Sequence, residues 1–173
     1  MNNAIEISIV ILTKNQEKII GETLKAVFYQ EINCDFEVIV IDSGSSARTL
    51  EIIKKYPIVS IQISPEEFGH GKTRNLGMRL SKGKYLVFLN GDAMPKDKHW
   101  LNNLIRPFLI YKDVAGVYSG ISPRQDCNPL DARDILRDDY LFSERIKYIK
   151  SFTEYKKKGV EEKRKFISFH TVS

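Results

Sequence analysis

Two runs rich in β-branched residues, Ile7 to Leu12 (ISIVIL) and Phe36 to Ile41 (FEVIVI), constrain this chain more than any other feature. A strand with one wet face alternates apolar and polar side chains, whereas a strand covered on both faces reads as a near-continuous apolar run. Both runs therefore predict strands enclosed by helices. Between them, Ile19, Ile20, Leu24, Val27 and Phe28 recur at helical spacing behind Asn15, a residue suited to capping a helix N-terminus. The alternation continues. Leu50, Ile52 and Ile53 read as a short helix closed by Pro57, Val59 to Ile63 as a third strand, and Gly71 to Leu80 as a helix. Tyr85 to Leu89 (YLVFL) reads as a fourth strand and Val114 to Tyr118 as a fifth. Trp100, Leu101, Leu104 and Ile105 mark a helix between those two, which Pro107 is expected to interrupt.

Alternation of this kind implies right-handed crossovers and a Rossmann-like, mostly parallel α/β sheet with helices on both faces. Such sheets bind ligands beyond the carboxyl ends of their strands. That rule directs attention to Thr13-Lys14-Asn15, Asp42-Ser43-Gly44 and Asn90-Gly91-Asp92. At 173 residues the chain supports one domain with a sizeable core. Cys34 and Cys127 form neither a metal spacing nor a disulfide framework, which fits a reducing cytoplasm. The start, Met1 to Glu6, has neither the basic nor the apolar region of a signal peptide. The net charge of +5 is placed unevenly, with nine Lys/Arg against four Glu between Glu144 and Lys165. The rest of the chain is balanced, which argues against a nucleic-acid-binding body with a basic stripe over its folded surface.

Each candidate residue has a plain reading and a functional one. Asp42, directly after the second strand, is either a turn-forming Asp or an acceptor for a base imide or ribose hydroxyl. Gly71 to Gly77 (GKTRNLG) opens a helix with backbone amides, a lysine and an arginine, either as an exposed basic helix or as an anion-binding terminus. Arg74 offers a planar fork for phosphate or a base edge. Asp92 is either a turn residue or a carboxylate for a divalent cation bridging a diphosphate. No G-x-G-x-x-G and no P-loop follows the first strand, which weakens dehydrogenase, NTPase and nucleotidyltransferase readings.

Taken together, SIVILTKN (Ser8 to Asn15), FEVIVIDSGS (Phe36 to Ser45), FGHGKTRNLG (Phe68 to Gly77) and YLVFLNGDAMP (Tyr85 to Pro95) resemble glycosyltransferase family 2, with its GT-A fold. AGVYSGISPRQDCNPLDAR (Ala115 to Arg133) is similar to the branch containing bacterial rhamnosyltransferases. The resemblance implies transfer, with inversion, of a sugar from a UDP- or dTDP-linked donor to a saccharide or lipid-linked acceptor in bacterial surface polysaccharide synthesis. It places Thr13, Asn15, Asp42 and Ser43 around the nucleoside and Arg74 near the base and diphosphate. It places Gly91 at the donor and Asp92 on a divalent cation, manganese or magnesium. The family's D-x-D motif reads Asn90-Gly91-Asp92 here, so its first carboxylate is an amide. His70 lies in a pattern the branch shares, either near the phosphates or as a structural histidine.

Residues 1–140 thus read as the nucleotide-sugar-binding domain, and 141–173 as a basic, helical segment leading toward an acceptor-binding part that is truncated or absent. Phe166 to Phe169 reads as the start of the next strand, and no catalytic base is nominated, since Glu161 and Glu162 lie in a solvated charged run. The alternative is a nucleotide-sugar-binding module without transferase activity. The segment Arg145 to Phe166 reads either as a solvated helix or as a peripheral contact with the anionic inner face of a membrane.

Overall fold

The computed structural model describes residues 5–141 and 156–157. Strands β1 (Ile7–Thr13), β2 (Phe36–Asp42), β3 (Val59–Gln62) and β4 (Tyr85–Asn90) form one parallel sheet in the order β3-β2-β1-β4. Helices α1 (Ile20–Phe28), α2 (Ala47–Ile53), α3 (His70–Leu80) and α4 (Trp100–Ile110) connect or follow them.

Strand order decides the side on which each helix lies. The chain moves from β1 to β2 to β3 in one direction, then returns past both to place β4 against the other edge of β1. Right-handed crossovers in opposite directions put their helices on opposite faces. Ile20, Leu24 and Val27 of α1, Ile53 of α2, and Leu101 and Ile105 of α4 accordingly pack with Ile7, Ile9, Ile11, Val38 and Val40. The other face gathers Val10, Leu12, Ile39 and Ile41 under Leu76 of α3. Every residue of β1 is buried, as its apolar run implies.

α3 reaches that sheet face because position 77 has no side chain. A Cβ at Gly77 would overlap Val10 Cγ1 and stand 3.1 Å from Cγ2. Val10 is β-branched and fully enclosed, so it has no free rotamer into which to retreat.

Four local expectations are corrected. Asn15 does not cap α1, whose N-cap is Ile19; Asn15 takes φ 51° and bonds to another loop. α3 starts at His70, behind the N-cap Gly69. α4 runs through Pro107 to Ile110, with Tyr111 N–H donating to the Pro107 carbonyl at 2.9 Å. Proline removes one backbone donor there, and packing of Phe108 on Tyr85, with ring centroids 5.4 Å apart, holds the final turn. Val114 to Tyr118 joins no strand among the described residues; Ala115 and Gly116 at its centre are weak strand formers.

Contacts along the chain divide it into two compact units, with the boundary between Val117 and Tyr118. The second contains α5 (Pro129–Leu141), which opens with Pro129 behind Asn128, whose side-chain oxygen accepts the Leu130 N–H at 2.9 Å. Lys156 and Lys157 are helical and exposed. The remainder of the basic segment, Glu161, Glu162 and Phe166 to Phe169 lie outside the described residues.

Gly77→Ala is expected to lower stability by about 1–3 kcal/mol through overpacking against Val10. Gly71→Ala, where an added Cβ meets nothing within 4 Å, is expected to be neutral or stabilising by up to about 1 kcal/mol. Denaturant midpoints of the two variants check this; equal midpoints would contradict the close approach of α3.

Candidate functional site

Reversal of chain direction at β1 leaves a crevice beyond the carboxyl ends of β1 and β4, the switch point where open α/β sheets take ligands. Thr13 ends β1, Asp42 ends β2 as its register partner, and Asn90 ends β4 beside Leu12. The structure thus brings Thr13, Asn15, Asp42, Ser43, Asn90, Gly91 and Asp92 to one sheet edge, and α3 adds Arg74 through its contact with Asn90.

The wall nearest β2 is stitched from backbone and short polar side chains. Asp42 is 1% exposed. Its Oδ2 accepts the Gly44 and Ser45 N–H groups at 3.1 and 3.0 Å, and Oδ1 accepts the Ser45 hydroxyl. The turn-forming reading of Asp42 is therefore realised, and its carboxylate shapes the Ser43–Ser46 loop. Ser43 N–H donates to the Thr13 carbonyl at 3.1 Å. Asn15 clasps the same loop reciprocally: its N–H donates to Ser45 Oγ and its Oδ1 accepts the Ser46 N–H, both at 2.8 Å. An asparagine tolerates the left-handed conformation this clasp requires.

At the β4 side, Gly91 N–H donates to the Leu12 carbonyl at 2.8 Å, drawing the turn tightly against β1. A Cβ on Gly91 would overlap Gln16 Oε1 and stand 3.0 Å from Thr13 Oγ1. A side chain there would displace the tip of Gln16 and crowd the Leu12 carbonyl at 3.1 Å. The Gly91 carbonyl accepts the hydroxyl of fully buried Thr23 at 3.1 Å.

Asp92, next in the chain, is half-buried. Its Oδ1 is enclosed without a hydrogen-bond partner among the described residues. Burial pushes its carboxyl above the ordinary carboxylate range, while a hydrogen bond from its own backbone pulls the other way. An enclosed, unpartnered carboxylate oxygen is costly unless a proton or a cation joins it. Arg74 Nη2 donates to Asn90 Oδ1 at 3.2 Å. His70 is exposed, its ring edge-on to Phe68 with centroids 5.0 Å apart. Among the described residues no three His, Cys, Asp or Glu side chains converge as a metal cage. Asp92 is thus suited to the one-carboxylate mode, in which bound phosphates complete the coordination of a hard cation.

Several contributors are invisible from the sequence. Gln16, Thr23 and Gln30 lie on or beside α1, where helical periodicity marks only the apolar positions. Gln30 Nε2 donates to the Asp97 carbonyl at 2.8 Å, and its Oε1 accepts the Leu101 N–H at 2.8 Å, capping α4 in place of His99. Glu31 adds a backbone bond to the Lys98 carbonyl at 2.8 Å and an exposed ion pair with Lys98, which lowers the Glu31 pKa and raises that of Lys98. Exposed pairs of this kind contribute little. α1 therefore holds both ends of the Gly91–Leu101 segment, through Thr23 and Gln30.

A parallel sheet, its switch point, a guanidinium held by Asn90 and an enclosed carboxylate oxygen on Asp92 define an α/β domain built around a polar strand edge. Residues 8–167 match the model of Glycosyl transferase family 2, and the chain belongs to that family. It is 31% identical over 147 residues to a chondroitin synthase of Pasteurella multocida, covering 82% of this chain and 15% of that protein. It is 36% identical over 104 residues to the O-antigen chain rhamnosyltransferase WbaN of Salmonella anatum, covering 60% of this chain and 33% of WbaN. The chain thus spans a third or less of these curated relatives. A crystal structure of glucosyl-3-phosphoglycerate synthase from Mycobacterium tuberculosis, in complex with Mn2+, UDP and phosphoglyceric acid, superposes with a TM-score of 0.52 at 23% identity, over 68% of this chain and 41% of that one. That likeness shows a shared GT-A-like fold.

Gln30→Ala is expected to destabilise the protein by about 1–3 kcal/mol, because it uncaps α4 and leaves the Asp97 carbonyl and the Leu101 N–H short of a partner. Amide hydrogen exchange should quicken first at Leu101 and its neighbours. Unchanged exchange there would refute the clamp.

Proposed function

We propose that this chain is the donor-binding part of an inverting glycosyltransferase, which moves a sugar from a UDP- or dTDP-linked donor to a saccharide or lipid-linked acceptor in bacterial polysaccharide synthesis. The observation that carries the reading is the enclosed, unpartnered Oδ1 of Asp92, set at the switch point of a family 2 chain two residues past the Asn90 that holds Arg74. The relatives' names support the substrate class, since one is a chondroitin synthase and another an O-antigen rhamnosyltransferase.

In this reading the nucleoside lies against Thr13, Asn15 and the loop that Asp42 and Ser43 shape. Arg74 donates charge-assisted hydrogen bonds to the diphosphate, and Gly91 lets the ligand approach the β1–β4 junction. Asp92 Oδ1 is the protein ligand for a divalent cation, manganese or magnesium, as the manganese in the mycobacterial enzyme's complex supports. When bound, that cation supplies positive charge to the departing nucleotide diphosphate. A carboxylate base that deprotonates the acceptor hydroxyl belongs to the acceptor side. No described residue is assigned that role.

Asp92→Asn tests the cation assignment. Its raised pKa means the folded chain holds the Asp92 proton more tightly than the unfolded chain does. Wild-type stability therefore falls as pH rises from the ordinary carboxylate range through that raised value. The amide removes this cost, so the ligand-free variant should be at least as stable as wild type at neutral pH. Calorimetric titration with UDP should show the manganese-dependent gain in affinity reduced at least about tenfold, or 1.4 kcal/mol. Arg74→Ala should weaken UDP binding with manganese and with chelator alike. An intact manganese-dependent gain in Asp92→Asn would rule out the assignment.

Membrane contact is proposed for the basic segment, where Lys156 and Lys157 are exposed. No helix among the described residues is long and apolar enough to cross a membrane. In this reading the basic segment makes a peripheral contact on the inner face. Binding to anionic vesicles should fall steeply with salt, and replacing Lys156, Lys157 and Lys158 by Gln should weaken it by about 1 kcal/mol per lysine. Equal binding to neutral and anionic vesicles would exclude the contact.

A further inference from the structure

We propose that Asn90 sets the charge of the crevice: its amide holds the Arg74 guanidinium at the strand edge without neutralising it, so the site grips a diphosphate partly without a cation. The inference rests on the donor-binding reading above and concerns how the binding is divided between Arg74 and Asp92.

Arg74 reaches across from α3 and donates from Nη2 to Asn90 Oδ1 at 3.2 Å. Asn90 is fixed in turn, as the last residue of β4 in register with Leu12, and its carbonyl accepts the Ala93 N–H at 3.0 Å. Among the described residues Arg74 forms no ion pair, and its hydrogen-bond partner, the Asn90 amide, is neutral. The other groups at the crevice do not compensate it. Thr13, Asn15, Gln16, Ser43 and Ser45 are uncharged, and the Asp42 carboxylate is enclosed by donors from its own loop. Around Asn90, then, lie the Arg74 guanidinium and, two residues on, the Asp92 carboxyl group, whose enclosed Oδ1 has no hydrogen-bond partner among the described residues. Lys14, between Thr13 and Asn15, adds an exposed positive charge at the same edge.

A carboxylate at position 90 would change this balance by one charge. Guanidinium and carboxylate pair in a bidentate fork, which would occupy the donors that a diphosphate needs. It would also add a second negative charge facing an anionic ligand, leaving binding dependent on a cation between them. An amide accepts the same hydrogen bond, orients the same fork and withholds the charge. Asn90 is thus a specificity-determining neighbour of the anion site.

The test is calorimetric titration of the intact chain with UDP, in manganese and in excess chelator, for wild type, Asn90→Asp, Asn90→Ser, Arg74→Gln and the Asn90→Asp/Arg74→Gln pair. Wild type should retain measurable affinity in chelator, and Arg74→Gln should lose about tenfold of it, the scale of one charge-assisted hydrogen bond. Asn90→Asp should lose a similar factor in chelator while keeping or gaining affinity in manganese. Neutral Asn90→Ser, which gives up the amide's hold on Arg74 but adds no charge, should lose less affinity in chelator than Asn90→Asp and should gain none in manganese. In the paired variant Arg74→Gln should cost little more, because the aspartate has already engaged the guanidinium. Equal losses in both media for Asn90→Asp, a loss in chelator for Asn90→Ser as large as that for Asn90→Asp, or additive losses in the pair would each overturn the inference. Thermal melts identify a variant that fails to fold, and the Asn90→Ser and Arg74→Gln arms then still decide the question. A wild-type chain that binds no UDP in either medium would instead overturn the proposed function.

Discussion

β1 lies between β2 and β4, with helices packed against both of its faces, and this double enclosure controls where the functional groups fall. A fully covered strand demands apolar side chains on both faces, and Ile7, Ile9, Val10 and Ile11 are each 0% exposed. It also demands a helix able to approach the second face closely. Gly77 satisfies that by presenting no side chain to Val10. Once α3 is seated, Arg74, three residues earlier, projects toward β4 and meets Asn90. A core-packing requirement thereby delivers a cation to the crevice.

α1 works differently. Its apolar stripe is ordinary core, yet Thr23 on the buried side and Gln30 just past its end reach the segment that carries Asp92. Turns after strands are usually the mobile part of an α/β domain. Here the turn is tied to β1 through Gly91, to α1 through Thr23, and at its far end to Gln30. For the cation role proposed for Asp92, such restraint would leave less ordering to be done on binding.

The sheet and its covering helices were legible because burial on both faces writes itself as composition: ISIVIL and FEVIVI admit few other placements. Edge rules then located the crevice without any knowledge of side-chain contacts. What stayed illegible depended on pairs distant in sequence. Asn15 looked like a helix cap because local pattern cannot reveal that Ser45 and Ser46 would come to it. Pro107 looked like a terminator because propensity omits the packing of Phe108 on Tyr85. Val114 to Tyr118 looked like a strand because an apolar run carries no record of whether a partner edge is free. Asp42 shows the mixed case, where position was readable but the partners of its carboxylate were not.

Two irregularities fall just beyond the carboxyl ends of the strands: the left-handed Asn15 and the enclosed, unpartnered carboxylate oxygen of Asp92. Strain and unsatisfied polarity persist where the surrounding fold over-determines them, and they mark functional sites more often than defects. Asp92 is the more costly of the two, since burial opposes its charge and no described side chain bonds its Oδ1. Arg74 does not relieve it either, being turned to the neutral Asn90. Had the two been paired, the empty site would be more comfortable and less able to accept an anion and a cation together. Keeping the guanidinium and the carboxylate apart leaves each free for a ligand group of opposite sign, which is the arrangement a metal-bound diphosphate requires.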